Sequence, residues 1–142
     1  MSDQKNDKIL EVKNLKVSYH TYAGEVKSVR GVSFDLKEGE AIAIVGESGC
    51  GKSVTAKSIM GLIKGPQGEI KKGSEILYHG DNILNYNKKQ WQAYKGGEVA
   101  IIFQDALASL NPTMRVGKQI MENLMAHKHM TKDEAKKEVS FY

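Results

Sequence analysis

Apolar and polar residues alternate over residues 9–19 and again over 26–36, where Val32, Phe34 and Leu36 are separated by Ser33 and Asp35. A period of two places such residues on one face of a β-strand. The two runs, joined by a short loop around Ala23-Gly24-Glu25, predict a hairpin. Lys37-Glu38-Gly39-Glu40 then turns the chain into Ala41-Ile42-Ala43-Ile44-Val45, whose unbroken apolar character predicts a strand covered on both faces, as in a parallel sheet. Further on the period becomes helical, with Ala56, Ile59, Met60 and Ile63 at i, i+3, i+4 and i+7. Lys64, Gly65 and Pro66 together predict that this helix ends near Lys64. Residues 74–78 read as a short strand, 79–82 as a turn, and 88–95 as a short helix with Trp91 on its packed side, broken by Gly96-Gly97. Residues 98–103 read as a second buried strand ending at Gln104. Past Asn111-Pro112, a helix is expected from Val116 to about His127, and another from Thr131, where Thr131 and Glu134 form a capping box.

This mixture of strands and helices makes the chain α/β. Its 142 residues, 40% hydrophobic and 27% charged, suffice for a packed core. The longest apolar runs have five residues, too few for a bilayer-crossing helix. The opening MSDQKNDKIL has no apolar leader segment, which points to the cytoplasm, and a single Cys50 permits no internal disulfide framework. A net charge of +4 raises the possibility of nucleic-acid binding. However, Lys5, Lys8, Lys13 and Lys16 alternate with acids and apolar positions, and the Lys88-Lys89 and Lys136-Lys137 pairs are too short to form a basic stripe. The charge is that of an ordinary solvated surface, and no nucleic-acid partner is expected.

Between the apolar run at 41–45 and the helical run stands Gly46-Glu47-Ser48-Gly49-Cys50-Gly51-Lys52-Ser53, the G-x-x-x-x-G-K-[ST] pattern of a P-loop in the strand-to-helix context it requires. Gly46, Gly49 and Gly51 permit positive φ and close approach, so that backbone N–H groups can converge on phosphate oxygens. A helix N-terminus near Gly51 adds partial positive charge. Lys52 suits the β and γ phosphates of ATP, and the Ser53 hydroxyl suits Mg2+. Glu47, Ser48 and Cys50 occupy the variable positions, and the nucleotide-binding stretch extends to Val54. The motif alone does not choose among kinases, GTPases and transport ATPases.

Residues 9–57 resemble the start of an ABC-transporter ATPase, in which antiparallel strands precede a Walker A loop of this Gly-x-Ser-Gly-x-Gly-Lys-Ser form. The resemblance implies a RecA-like P-loop NTPase core strand and helix with an N-terminal antiparallel β subdomain. It implies that Tyr19, in Val17-Ser18-Tyr19-His20-Thr21, stacks on adenine, with Tyr22 as runner-up. Ile101-Ile102-Phe103-Gln104-Asp105 resembles the Q-loop, whose glutamine reaches Mg2+ and the attacking water and senses the transmembrane subunit. A rival Walker B reading would put the acid directly after the apolar run, but Gln104 separates Asp105 from it. Ser109-Leu110-Asn111-Pro112, with Ser18-Tyr19-His20-Thr21 and Gly24-Glu25-Val26, resembles the oligopeptide, dipeptide and nickel importer branch.

The resemblance divides residues 1–142 into a β subdomain with P-loop over about 8–104 and the start of a helical subdomain over about 105–142. It implies permease subunits and a second ATPase subunit as partners, at the inner face of the membrane. An LSGGQ-type signature, a Walker B Asp-Glu pair and a switch histidine are absent from the sequence, so an N-terminal portion that binds ATP without appreciable hydrolysis is expected. His127 and His129 are two residues apart, on different sides of any helix, and are not a chelating pair. Two alternatives are a different P-loop enzyme, such as a small-molecule kinase, and a non-catalytic module that binds other ATPase chains.

Overall fold

The computed structural model describes residues 7–49, 51–105 and 109–140, which form two compact units, Met1–Trp91 and Gln92–Tyr142.

The first unit is built on the expected hairpin. Strands β1 (Lys8–Thr21) and β2 (Gly24–Lys37) are antiparallel and joined through Tyr22-Ala23, with Thr21 opposite Gly24. Gly24 takes φ 116 and its carbonyl accepts the Thr21 hydroxyl at 2.9 Å. Val12, Leu15 and Val17 on β1 are all buried, although Val12 and Leu15 are three residues apart and a regular strand would put them on opposite faces. The register shifts between Val12 and Leu15, where Asn14 adopts φ 48 and its N–H donates to the Ser33 hydroxyl at 2.8 Å. A bulge of this kind takes up one residue and returns Leu15 to the core side.

The other edge of β1 pairs with β3 (Gly68–Ile70) and β4 (Glu75–Tyr78), and β4 pairs with β5 (Asp81–Asn82). Strand β1 is therefore the middle of the sheet and β2 a margin, with Val29, Ile76 and Ile83 adding to the core. Helix α1 (Lys52–Ile59) lies against β2 and contributes buried Thr55 and Ser58.

Helix α1 stops one turn earlier than its apolar stripe predicts. Gly61 takes φ 58, its N–H reaches the Ser58 carbonyl at 3.0 Å, and the Leu62 N–H reaches the Lys57 carbonyl at 2.8 Å. This is the Schellman arrangement, with Gly61 rather than Gly65 as the left-handed terminator. The Trp91 ring covers Gly61 so closely that a β-carbon there would stand 2.4 Å from it, and Tyr86 meets the same ring edge-on at 5.7 Å.

The expected strand at 41–45 is not formed. All five residues are exposed, Val45 to 85%, and no described segment forms a ladder with them. An apolar run becomes a buried strand only where neighbours supply hydrogen bonds on both sides, and none of the described strands is placed to do so.

In the second unit the expected strand at 98–103 is likewise absent. Val99 makes an isolated bridge with Lys95 but belongs to no ladder, and Ile102 is 96% exposed. Helix α2 (Lys88–Ala93), within which the division of the units falls, runs into a wide turn at Tyr94–Glu98 where Gly96 takes φ 80, the break expected of Gly96-Gly97. Helices α3 (Val116–Lys128) and α4 (Lys132–Val139) pack together around buried Ala135. Thr131 and Glu134 form the expected capping box, with the Thr131 N–H 2.7 Å from the Glu134 carboxylate. His127 packs its ring over Gly96, where a β-carbon would come within 2.7 Å.

Candidate nucleotide-binding site

The glycine-rich loop ends on β2. Gly51 adopts φ 92, and a β-carbon on it would lie 2.5 Å from the Ser28 carbonyl oxygen and 3.3 Å from Val29. Only glycine satisfies both the dihedral and the approach. Gly49 takes φ 81 with open space around it, so its requirement is conformational alone.

From Gly51 the chain enters α1, whose first turn contains no acidic residue to offset the partial positive charge of its N-terminus. The Thr55 hydroxyl and Thr55 N–H both bond the Gly51 carbonyl at 2.9 Å, fixing the junction of loop and helix from below. Lys52 folds back over the loop, and its ammonium donates to the carbonyls of Gly46 at 2.5 Å and Glu47 at 2.7 Å. The cation is thereby held inside the curl of the loop. Ser53 is exposed at the start of the helix and Val54 is half-buried. Glu47 and Ser48 are exposed, and Cys50 falls outside the described residues.

An open cleft of about 760 Å³ borders this loop, walled by β2 from Lys27 to Phe34, by residues 42–45, and by Gly49, Gly51, Lys52 and Thr55. A concave site with backbone amides, a helix start and a lysine at one end suits a polyphosphate chain.

Tyr19 sits half-buried on β1, its ring edge 3.2 Å from where a β-carbon of Gly68 on the neighbouring strand would lie. Tyr22 is fully exposed at the hairpin tip. On the outer face of the hairpin, the Lys71 ammonium lies 2.9 Å from Glu25 and 2.6 Å from Glu69, and His20 lies 2.8 Å from Glu69. Hydrogen bonds from Lys71 and Ser18 hold the Glu25 carboxyl down at about 2. Those from Lys71 and His20 lower Glu69, and the two carboxylates raise Lys71.

Gln104 is exposed in the second unit, five residues before Ser109, whose hydroxyl donates to the Asp105 carbonyl at 3.2 Å. Two contributors escaped the sequence pattern: the Ser28 carbonyl and the Thr55 hydroxyl. Neither belongs to a motif, and a backbone oxygen leaves no mark in residue identity.

The ABC transporter family model matches residues 29–141, beginning within β2 and taking in α1 to α4. The chain belongs to the ABC transporter family. With family membership comes the P-loop NTPase domain, consistent with a mixed fold of antiparallel sheet and helices in which α1 follows the Gly46–Ser53 motif. Among its ABC transporter relatives is the dipeptide transport ATP-binding protein DppD of Lactococcus lactis, 54% identical over 92% of this chain and 37% of that protein. The oligopeptide transport ATP-binding protein OppD of Bacillus subtilis is 52% identical over 92% of this chain and 36% of its own length. OppD of Escherichia coli is 44% identical over 95% of this chain and 39% of its own length. The chain thus spans less than half the length of these relatives, and the expected resemblance to the oligopeptide and dipeptide branch is borne out. Among the described residues no helix is long and apolar enough to cross a membrane.

Proposed function

We propose that this chain is the phosphate-holding portion of the ATP-binding subunit of an importer for oligopeptides or dipeptides. The observation that carries the reading is the Gly51–Lys52 junction, where a glycine seated on the Ser28 carbonyl starts a helix and aims a lysine into the loop. Residues from Gly46 through Glu47, Ser48, Gly49, Cys50 and Gly51 to Lys52, Ser53 and Val54 would receive ATP, with Lys52 on the β and γ phosphates. Mg2+ bound with the nucleotide would neutralise phosphate charge, held by the Ser53 hydroxyl and approached by Gln104. Tyr19 would offer its ring to adenine. Its half-exposed position on β1, against Gly68 rather than wholly inside the core, is compatible with that role.

Permease subunits and a second ATPase subunit are the partners this reading calls for, placing the protein at the inner face of the membrane. The relatives' names support the peptide cargo. Titration with a fluorescent ATP analogue in the presence of Mg2+ tests the site. Lys52→Ala should weaken binding by at least tenfold, and unchanged affinity would refute the assignment.

A further inference from the structure

The Tyr19 ring lies in space left by a residue on another strand. The register of β1 and β3 sets Val17 opposite Ile70, Ser18 opposite Glu69 and Tyr19 opposite Gly68. A β-carbon on Gly68 would lie 3.2 Å from Cε1 of the Tyr19 ring, 2.9 Å from Cγ2 of Ile63 and 3.4 Å from the Lys64 carbonyl oxygen. Carbon atoms pack at about 3.5–4.0 Å, so the ring and the Ile63 methyl fill the volume that any other side chain at 68 would need. Gly68 is not among the glycines with positive φ, so its backbone conformation suits other residues. What position 68 demands is room.

Strand β3 is tied to this stretch of β1 on both sides of Tyr19. The His20 N–H donates to the Gln67 carbonyl at 2.8 Å, and the Lys71 N–H donates to the Lys16 carbonyl at 2.9 Å. Side chains add to these bonds, with His20 Nε2 2.8 Å from the Glu69 carboxylate and the Lys71 ammonium 2.6 Å from the same group. The backbone at 68 is therefore poorly placed to retreat from an added methyl, and the half-buried ring is the part that would move.

We propose that Gly68 is a positioning residue for the nucleobase. Its bare Cα lets the Tyr19 ring settle against β3 in the orientation in which it takes adenine, and so sets how much of the affinity for ATP comes from the base rather than from the phosphates. This rests on the reading of Gly46–Ser53 as the phosphate site and of Tyr19 as the adenine partner.

Calorimetric titration of the full chain with ATP and with inorganic tripolyphosphate, both with Mg2+, separates the two contributions, since tripolyphosphate has no base. Gly68→Ala should weaken ATP binding by about tenfold, the scale of one base–aromatic stack, and leave tripolyphosphate binding unchanged. Tyr19→Ala should do the same. Gly68→Ala added to Tyr19→Ala should cause no further loss, because the glycine acts through the ring. Equal weakening of both ligands by Gly68→Ala overturns the proposal, as does undiminished ATP affinity or an additive loss in the double variant. Wild-type protein that binds ATP no more tightly than tripolyphosphate overturns the adenine role of Tyr19 and the proposal with it. Unchanged affinity in Lys52→Ala does the same through the phosphate site, and both failures show without any change at Gly68.

Discussion

Gly51→Ala isolates the contact on which the phosphate loop rests. The substitution forces a β-carbon into φ 92, a conformation that costs a non-glycine residue about 1–2 kcal/mol. It also drives that carbon to 2.5 Å from the Ser28 carbonyl oxygen, far inside van der Waals contact. The obstacle is backbone in the sheet, so it cannot rotate aside as a side chain would, and overpacking of this kind costs about 1–3 kcal/mol. The two contributions together predict a loss of about 2–5 kcal/mol.

Gly49→Ala is the matched control, because Gly49 has φ 81 but nothing within 4 Å of a β-carbon, leaving only the conformational cost. Both variants can be followed by urea unfolding and by titration with a fluorescent ATP analogue. If the loop stays seated, the difference between them is lost from folding stability. If it lifts off β2, the difference appears in nucleotide affinity, at about tenfold per 1.4 kcal/mol. Equal effects of the two variants in both assays would refute the claim that Ser28 seats the loop.

Other outcomes follow from single contacts. Leu15→Ala removes a fully buried side chain from the middle strand and should cost about 2–5 kcal/mol in urea unfolding, against little for the exposed Val45→Ala. Thr131→Ala removes the capping hydroxyl of α4 and should cost about 1 kcal/mol, seen as lower helicity and an earlier thermal transition by circular dichroism. Glu25 titrates at about 2 in the folded protein, below its ordinary value of 4.5. Its stabilising contribution is therefore complete above pH 4.5 and is lost as pH falls toward 2. Lys71→Met, which removes the first cause of the depression, should flatten the fall in the urea midpoint between pH 5 and 2.5, and an unchanged slope would contradict the pairing.

What could be read from residue order depended on how local the cause was. The hairpin, the α3 span and the Thr131 cap are dictated by neighbours a few residues apart, and each appears where alternation, helical period or capping chemistry put it. The P-loop pattern likewise located the start of α1 at Lys52, because glycine spacing, lysine and helix start are contiguous. The runs at 41–45 and 98–103 show the limit. Apolar continuity states that a segment would be stable when covered, but says nothing about which segment covers it. At the end of α1 two glycines competed, and Gly61 prevailed because Trp91, thirty residues on, packs over its bare Cα. The bulge at Asn14 was invisible for the same reason, since it is defined by a partner strand that periodicity does not name.

The seat of the phosphate loop has an asymmetry that bears on how this protein tolerates change. Ser28 takes part through its carbonyl, which every amino acid possesses, whereas Gly51 takes part through the lack of a side chain, which no other residue shares. A randomised library at the two positions would therefore be permissive at 28 and nearly closed at 51, although both residues form the same contact. Coupled variation between them would be undetectable, and the architecture of the site would pass through generations with only one of its two partners under visible restraint.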